Sequence, residues 1–305
     1  MDVADYPPNP YFSEDNPEHP VVRHRHMNTG RRLTGWPTGN PTGCVIHFTA
    51  GWEANYAFTI MEKRNYSAHM VIERDGTIYL GVPLAHRAVH AGGSWKGHGN
   101  INHRFIGIEL VNFGHVDDYS RPRTDNMGWE PAGMPHYKPY NSGQKETSID
   151  PKAPWAYRVV DYGSGPRAVM TQQEIEENCM FAAFPQAQID ALIWVINSMS
   201  SKLGWREDDI VGHDFVDDNK KDPGPAFPWE LFHSQLEATV PVDWHGAQDL
   251  LQQMGLYTGM IDGIFGPLTS RAIYNITGLN PGNQMTKDLW REVVIAWRDW
   301  RYNAR

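Results

Sequence analysis

The ten residues from His213 to Asp222 contain side chains that can bind a metal ion and place a cation beside it. An imidazole opens this run, a carboxylate closes it, and Lys220 lies two residues before that carboxylate. A hydrolytic zinc site needs these groups and one further ligand. The apolar run around His47 offers one, and strand alternation places it on the opposite face from Cys44. We therefore predict that Cys44 points away from any metal that His47 binds.

Three ligands of nitrogen and oxygen type leave a fourth coordination position for water, which is the pattern of a catalytic zinc ion. Structural zinc sites are closed mainly by cysteines, and this chain has 2. Each of its 14 histidines, taken alone, is more often a surface or core residue than a ligand. The combination of His47, His213 and Asp222 favours a metal site.

A carboxylate, Glu109, lies between Ile108 and Leu110 in a mostly apolar run. Charged side chains rarely occupy such a position unless they are paired or take part in chemistry. The alternative is a glutamate at the edge of a strand that points into solvent. We favour the first interpretation, a carboxylate employed in catalysis.

Five blocks between residues 40 and 230 resemble the zinc-dependent N-acetylmuramoyl-L-alanine amidases of type 2, which are related to phage lysins and peptidoglycan recognition proteins. They occur in the order of the family and are Val45–Gly51, Ser67–Gly76, Arg87–Gly92, Ile106–Leu110 and Gly212–Pro225. Such an order is far more specific than a single histidine. The resemblance implies an α/β fold in which a mixed central β-sheet is flanked by helices.

The resemblance also implies one Zn²⁺ ion bound by His47, His213 and Asp222, with Glu109 and Lys220 as catalytic residues. Zinc lowers the pKa of its water from ~15.7 towards ~7 and polarises the scissile carbonyl. Glu109 would take the water proton and pass it to the leaving amine, while Lys220 would stabilise the oxyanion. The implied reaction hydrolyses the amide bond between N-acetylmuramic acid and L-alanine in peptidoglycan and so lyses the cell wall.

Four further residues are candidates for substrate binding, namely His69, His90, Trp95 and Asn112. For His69, orientation of the substrate or a hydrogen bond to a ligand is favoured over direct ligation. His90 and Trp95 lie in a glycine-rich segment, where an aromatic ring can stack on a sugar or a peptide. Ordinary core packing is the alternative for Trp95. Relatives that recycle muropeptides commonly have an aromatic residue where this chain has Val89.

The C-terminal residues resemble a small peptidoglycan-binding module of three helices, and Asp262–Thr269 is the most specific part of the match. We therefore predict a zinc amidase domain at residues 1–240 and an all-α peptidoglycan-binding domain at 241–305. Within the first domain, residues 1–40 are predicted to form an extended arm. Residues 113–180 are predicted to be a long insertion.

The sequence predicts a helix at about 54–63, and hydrophobic periodicity predicts an amphipathic helix at about 186–203 that ends at Gly204. The dipeptide Asp75-Gly76 predicts a turn between two strands.

Composition excludes several functions. A net charge of −9 without a basic stripe argues against nucleic acid as a partner. No stretch approaches the ~20 apolar residues of a membrane span. Cys44 and Cys179 are too few for a disulfide framework and are predicted to be buried thiols. Peptidoglycan is the expected partner, and the chain is expected to be a monomer.

The first residues lack the basic and apolar regions of a signal peptide. Together with a cell-wall substrate, this predicts a phage endolysin, made in the cytoplasm and reaching the wall after holin-mediated release. An antibacterial effector exported by a dedicated machine would share these features. Two other functions stay open: a recognition protein that binds peptidoglycan without cutting it, and a zinc peptidase that acts on crosslinks. No His-Glu-x-x-His motif supports the peptidase.

Overall fold

A computed structural model describes residues 20–27, 33–37, 39–51, 53–112, 115–116, 157–159, 180–182, 184–224, 227–239 and 243–303. Cys179, the first half of the predicted arm and most of the predicted insertion lie outside these residues.

The strands, in chain order, are β1 (Val22–His24), β2 (Gly43–Phe48), β3 (Met70–Ile72), β4 (Ile78–Leu80), β5 (Ser94–Trp95), β6 (His98–Gly99), β7 (Phe105–Leu110), β8 (His115–Val116), β9 (Tyr157–Val159), β10 (Met180–Ala182) and β11 (Ile210–Gly212). Within the described residues, a six-stranded sheet has the order β1-β4-β3-β7-β2-β11, and its one antiparallel pair is β3 with β4. The Asp75-Gly76 turn joins that pair, as predicted.

The helices, in chain order, are α1 (Ala54–Lys63), α2 (Gln186–Leu203), α3 (His213–Val216), α4 (Trp229–Gln235), α5 (His245–Gln253), α6 (Pro267–Thr277) and α7 (Lys287–Asn303). The two helices predicted from the sequence, α1 and α2, are confirmed. Helix α2 is followed by Gly204, whose φ of 69° is left-handed. A residue without a Cβ atom adopts this conformation at little cost.

Helices α1 and α2 cover opposite faces of the sheet. Val71 belongs to the same apolar cluster as the α1 residue Phe58, whereas its neighbour Ile72 belongs to a second cluster that contains the α2 residue Ile189. Successive residues of a strand point to opposite faces, so the two helices lie on different sides. The fold class predicted for the catalytic region, a mixed sheet flanked by helices, is therefore confirmed.

Part of the predicted N-terminal arm is a strand of this sheet. Val22, Arg23 and His24 form β1, which pairs in parallel with β4 at the sheet edge. These three residues of the predicted extended arm therefore lie on the domain as an edge strand. Sequence patterns did not reveal the pairing because β1 is only three residues long and its partner lies more than fifty residues later.

The C-terminal helices α5, α6 and α7 are present, and they pack against the sheet region through one shared apolar cluster. The rings of Phe215 and Trp297 lie 4.4 Å apart between centroids. The buried carboxylate of Glu207 lies 3.2 Å from both Lys287 Nζ and Arg291 Nη2. Division of the chain at residue 240 stays a prediction. Of the described helices, none is both long enough and apolar enough to cross a bilayer.

Candidate metal and catalytic site

The sheet brings together the carboxyl ends of β2, β7 and β11, which are adjacent and parallel. His47 is the last but one residue of β2, and His213 follows β11 directly at the start of α3. The chain then loops back, so that the backbone N–H of Asp214 donates to the carbonyl of Asp222 at 2.9 Å. Ligands more than 160 residues apart in sequence thus meet at one edge of the sheet.

Three candidate ligand atoms form a nearly equilateral triangle. His47 Nδ1 lies 3.0 Å from His213 Nδ1 and 2.8 Å from Asp222 Oδ2, and the third side measures 3.0 Å. A tetrahedral zinc ion with bonds of about 2.0–2.1 Å holds its ligand atoms roughly 3.3 Å apart. The triangle is therefore close to the size that such an ion requires, and within the described residues these three side chains are the group that could hold a metal.

A chain of hydrogen bonds fixes which nitrogen of His47 is free to bind a cation. His90 Nε2 donates to the carbonyl oxygen of Phe105 at 2.9 Å, so the Nδ1 atom of a neutral His90 is an acceptor. His47 Nε2 lies 3.0 Å from that atom and must carry the proton between them. The lone pair of His47 Nδ1 consequently points at His213 and Asp222. A neutral imidazole nitrogen and a carboxylate oxygen that converge in this way fit a metal ion.

Electrostatics keep these groups in the forms that bind a metal. Burial lowers the pKa of His47 and holds the pKa of His90 well below its usual value. The pKa of Asp222 is also lowered; burial opposes this shift, but the imidazoles of His213 and His47 beside the carboxylate outweigh it. Neutral imidazoles beside an ionised carboxylate are what metal coordination requires.

Glu109 is paired with His47 in the register of β2 and β7, so both side chains leave the sheet on the same face. Its Oε2 atom is buried and makes no hydrogen bond with any residue that the structure describes. Burial raises the pKa of Glu109 well above the usual value, the negative charge of Asp222 raises it further, and the charge of Lys220 lowers it. A buried, unpartnered carboxylate is costly, and such groups concentrate at functional sites.

Lys220 is exposed at the rim of this site. Burial is the larger influence on the pKa of both Glu109 and His47, and the charge of Lys220 lowers both pKa values, so Lys220 lies close enough to act on them electrostatically. The backbone N–H of Lys220 donates to the carbonyl of Asp217 at 2.9 Å, within the loop that ends at Asp222. The structure therefore brings together all five residues predicted as ligands or catalytic groups.

The four residues predicted to bind substrate lie elsewhere or act differently. His90 contacts a ligand, as described above. Trp95 is 1% exposed and its Nε1 donates to the carbonyl of Asp208, so the predicted stacking on substrate is wrong and the packing alternative is correct. Asn112 is completely buried and offers no surface to a substrate.

His69 is also completely buried and is not among the candidate ligands. Its Nδ1 accepts a hydrogen bond from the backbone of Gly107, its Nε2 donates to the carbonyl of His86, and its ring stacks on Trp36. His69 therefore anchors β7, and its complete burial argues against the predicted role in substrate binding. Cys44 is a fully buried free thiol, as predicted.

Gly107 is a site residue that sequence patterns missed. A Cβ atom at this position of β7 would overlap the ring of His90. The absence of a side chain thus makes room for the histidine that holds His47. A glycine inside an apolar strand is a known sign of close approach by another group, and this signal was available in the sequence.

Comparison with known proteins places these residues in a family. The family model described as N-acetylmuramoyl-L-alanine amidase matches residues 37–150 and 152–225, which is more than half of the chain. A curated relative, the N-acetylmuramoyl-L-alanine amidase AmiD of Escherichia coli K12, is 25% identical over 200 residues. That alignment covers 63% of this chain and only about half, 51%, of the relative.

Two solved structures are also similar. AmiD from E. coli in complex with anhydro-N-acetylmuramic acid-L-Ala-D-gamma-Glu-L-Lys is 18% identical, with 89% of this chain and 93% of that chain covered and a TM-score of 0.45. AmpDh3 from Pseudomonas aeruginosa, in complex with an anhydromuramic pentapeptide, is 17% identical, with 90% and 88% covered and a TM-score of 0.44. The family match spans His47, Glu109, His213 and Asp222, the residues that the fold gathers at one edge of its sheet, and the chain belongs to the N-acetylmuramoyl-L-alanine amidase family.

Proposed function

We propose that this protein is a zinc-dependent hydrolase of the amide bond between N-acetylmuramic acid and L-alanine in bacterial peptidoglycan. The observation that carries the proposal is the convergence of His47 Nδ1, His213 Nδ1 and Asp222 Oδ2 beside the unpartnered carboxylate of Glu109. Membership of the amidase family supports the choice of bond.

His47, His213 and Asp222 would hold the zinc ion, and they leave a fourth position open to water or substrate. When bound, zinc polarises the scissile carbonyl and lowers the pKa of a coordinated water to about 7. Iron, cobalt and nickel also accept imidazole and carboxylate ligands. The two buried histidines and the partly buried Asp222 could hold several of these ions, and the resemblance to the zinc-dependent amidases supports the choice of zinc.

Glu109 is the general base of the proposed reaction. A base must reach the proton that it removes and must have a pKa suited to the working pH. Burial raises the pKa of Glu109 towards that range. After taking the proton from the attacking water, the carboxyl group delivers it to the leaving nitrogen of L-alanine. Because Oε2 has no hydrogen-bond partner in the described part of the chain, the proton transfer does not require any such bond to break first.

Lys220 supplies the positive charge for the oxyanion of the tetrahedral intermediate. The charge of Lys220 lowers the pKa of both Glu109 and His47. A fixed cation near the site stabilises the negative charge that develops during the reaction. The same charge favours the ionised form of Glu109, so Lys220 supports both steps.

A test uses purified sacculi and a soluble muramoyl peptide as substrates, with the products identified by mass spectrometry. Free stem peptides that begin at L-alanine support the proposal, whereas split crosslinks indicate a peptidase. Absence of products from protein that contains stoichiometric zinc indicates a recognition protein. Metal content is measured in parallel, and removal of the metal by a chelator followed by zinc addition must abolish and restore cleavage.

We further propose that the physiological role is cell-wall lysis by a phage endolysin, with helices α5 to α7 as the wall-binding part. The resemblance of Asp262–Thr269 to peptidoglycan-binding modules supports this role. Sedimentation of the protein with insoluble sacculi, in the presence of a chelator to prevent cleavage, tests wall binding.

A further inference from the structure

The C-terminal helix α7 contacts the loop that carries Lys220. Arg301, in the last turn of α7, is only 6% exposed. Its Nη2 donates to the carbonyl oxygen of Asp218 at 2.6 Å and to that of Lys220 at 3.2 Å, and its Nη1 lies 3.4 Å from Asp218 Oδ1. One guanidinium group therefore binds the loop at three points, two of them on the backbone.

The other side of the guanidinium is held within the helix itself. Its carbon lies 6.0 Å from the ring centre of Trp297, one turn earlier in α7. That ring packs on Phe215 of α3, and its Nε1 donates to Gln253 of α5 at 3.0 Å. Gln253 in turn donates to the carbonyl oxygen of Phe215 at 2.8 Å. The guanidinium group of Arg301 is thus held by Trp297 on one side and bound to the loop on the other.

We propose that Arg301 is a positioning residue for catalysis, which holds the backbone at Asp218 and Lys220 so that the Lys220 ammonium faces the metal site. This inference rests on the proposed function and gives the C-terminal helices a second task besides wall binding. Lys220 has an exposed side chain on a loop, and its neighbours Asp218 and Asn219 are also exposed. Hydrogen bonds within the loop join Lys220 and Asn219 to Asp217, and Arg301 adds contacts from a separate helix.

An arginine side chain is chemically suited to hold this loop in position. Arginine has five N–H donors in a rigid planar fork, so a single side chain can bind two carbonyl oxygens and a carboxylate at once. Lysine has one flexible ammonium and cannot span them with the same geometry. Hydrogen bonds to a charged donor are also roughly twice as strong as neutral ones.

The test compares Arg301→Ala and Arg301→Lys with Arg291→Ala. Arg291 is a matched control because it lies in the same helix and also joins α7 to the catalytic region, through Glu207 and the carbonyl of His233. Hydrogen exchange at residues 217–221 reports the loop directly, without any need for activity. We expect faster exchange there in Arg301→Ala, an intermediate rate in Arg301→Lys, and the wild-type rate in Arg291→Ala.

Steady-state kinetics give the second readout. A displacement of about 1 Å can cost on the order of 100-fold in rate, so we expect kcat of Arg301→Ala to fall at least about tenfold. KM and zinc content should stay unchanged. In a Lys220→Ala background, Arg301→Ala should cause no further loss of kcat, because the group that it positions is already absent.

Three results would overturn the inference. These are wild-type exchange in the loop of Arg301→Ala, equal effects of Arg291→Ala and Arg301→Ala, and a full additional loss of kcat in the Lys220→Ala background. If Arg301→Ala does not fold, Arg301→Lys decides by the same exchange measurement. If wild-type protein cleaves no peptidoglycan, the proposed function fails, and the exchange data still decide whether Arg301 holds the loop.

Discussion

His47 and Glu109 are directly paired residues on neighbouring parallel strands. The spacing of strands in a sheet, about 4.8 Å, therefore sets the separation between a metal ligand and the proposed base. Neither residue depends on a loop for its position, and both strands are buried on each side. This geometry makes the pair the rigid half of the site, while His213, Lys220 and Asp222 come from the segment that follows β11.

Replacement of Glu109 by glutamine should abolish most activity without loss of metal. The amide keeps the shape of the side chain but cannot accept the water proton. General base catalysis contributes typically 10²–10⁴-fold, and we expect kcat to fall within about that range. Zinc content measured by mass spectrometry should equal that of wild type. Glu237→Gln, at an exposed glutamate, serves as control, and activity of Glu109→Gln near the wild-type level would refute the role as base.

Loss of His90 should weaken metal binding although His90 is no ligand. His90 fixes the tautomer of His47, and removal of such supporting partners typically costs about 10- to 100-fold in metal affinity. We expect a loss in that range for His90→Ala, measured by competition with a chromophoric chelator. His90→Asn should recover part of the affinity, because its amide oxygen can accept the proton of His47 Nε2. The exposed His98 provides the control His98→Ala, and an unchanged affinity in His90→Ala would contradict the hydrogen-bond chain.

A methyl group at residue 107 should disturb the hydrogen bond between His90 and His47, because it displaces the ring of His90. The new Cβ of Gly107→Ala must displace the His90 ring, and overpacking of this kind typically costs about 1–3 kcal/mol in stability. We expect a lower melting temperature together with lower zinc affinity. At Gly99, in contrast, a Cβ meets no atom within 4 Å, so Gly99→Ala is the matched control. Equal effects of the two substitutions would show that His90 does not depend on Gly107.

The acidic limb of the pH profile should depend on Lys220. Glu109 acts as a base only when ionised, so activity falls as the pH is lowered through its raised pKa. The charge of Lys220 lowers that pKa; Lys220→Ala must therefore raise it and shift the limb of kcat/KM to higher pH, besides a loss of rate on the order of 100-fold. Lys221→Ala should leave both the limb and the rate unchanged. A limb that does not move in Lys220→Ala would contradict the electrostatic coupling.

Deletion of residues 241–305 should destabilise the catalytic region. Phe215 packs on Trp297, and the buried carboxylate of Glu207 would lose Lys287 and Arg291. An uncompensated buried charge typically costs about 3–5 kcal/mol. We expect the truncated chain to be insoluble or to melt well below the full chain in circular dichroism. A truncated chain with the wild-type melting temperature would instead support an independent domain, as predicted from the sequence.

The candidate ligands and the proposed base could be singled out in the sequence because short local patterns, and the family resemblance that those patterns carry, point to them. Alternation along β2 and β7 indicates which face of the sheet carries His47 and Glu109. Lys220 and Asp222 are two residues apart, so they stay close whatever the surrounding fold. The helices α1 and α2 were likewise predicted with correct ends. These features depend on residues within a few positions of one another.

Other roles required the tertiary structure. His90 becomes a partner of His47 only because Gly107 leaves space beneath its ring. Trp95 was placed at the substrate since glycine-rich segments resemble exposed loops, yet its indole fills the core. Arg301 reaches Lys220 across 81 residues of sequence, and no local pattern distinguishes it from the other basic residues of α7.

Within the described residues, five tryptophans of the cluster shared by the sheet region and the C-terminal helices are at most 2% exposed, namely Trp95, Trp205, Trp229, Trp290 and Trp297. Separation of the two parts would bring some of these indoles into contact with water. Emission of buried indole lies at shorter wavelength than that of hydrated indole, so the protein carries its own fluorescent reporter of docking. A shift of the emission maximum on wall binding would show that the helices move, without any label and at the concentrations used for enzyme assays.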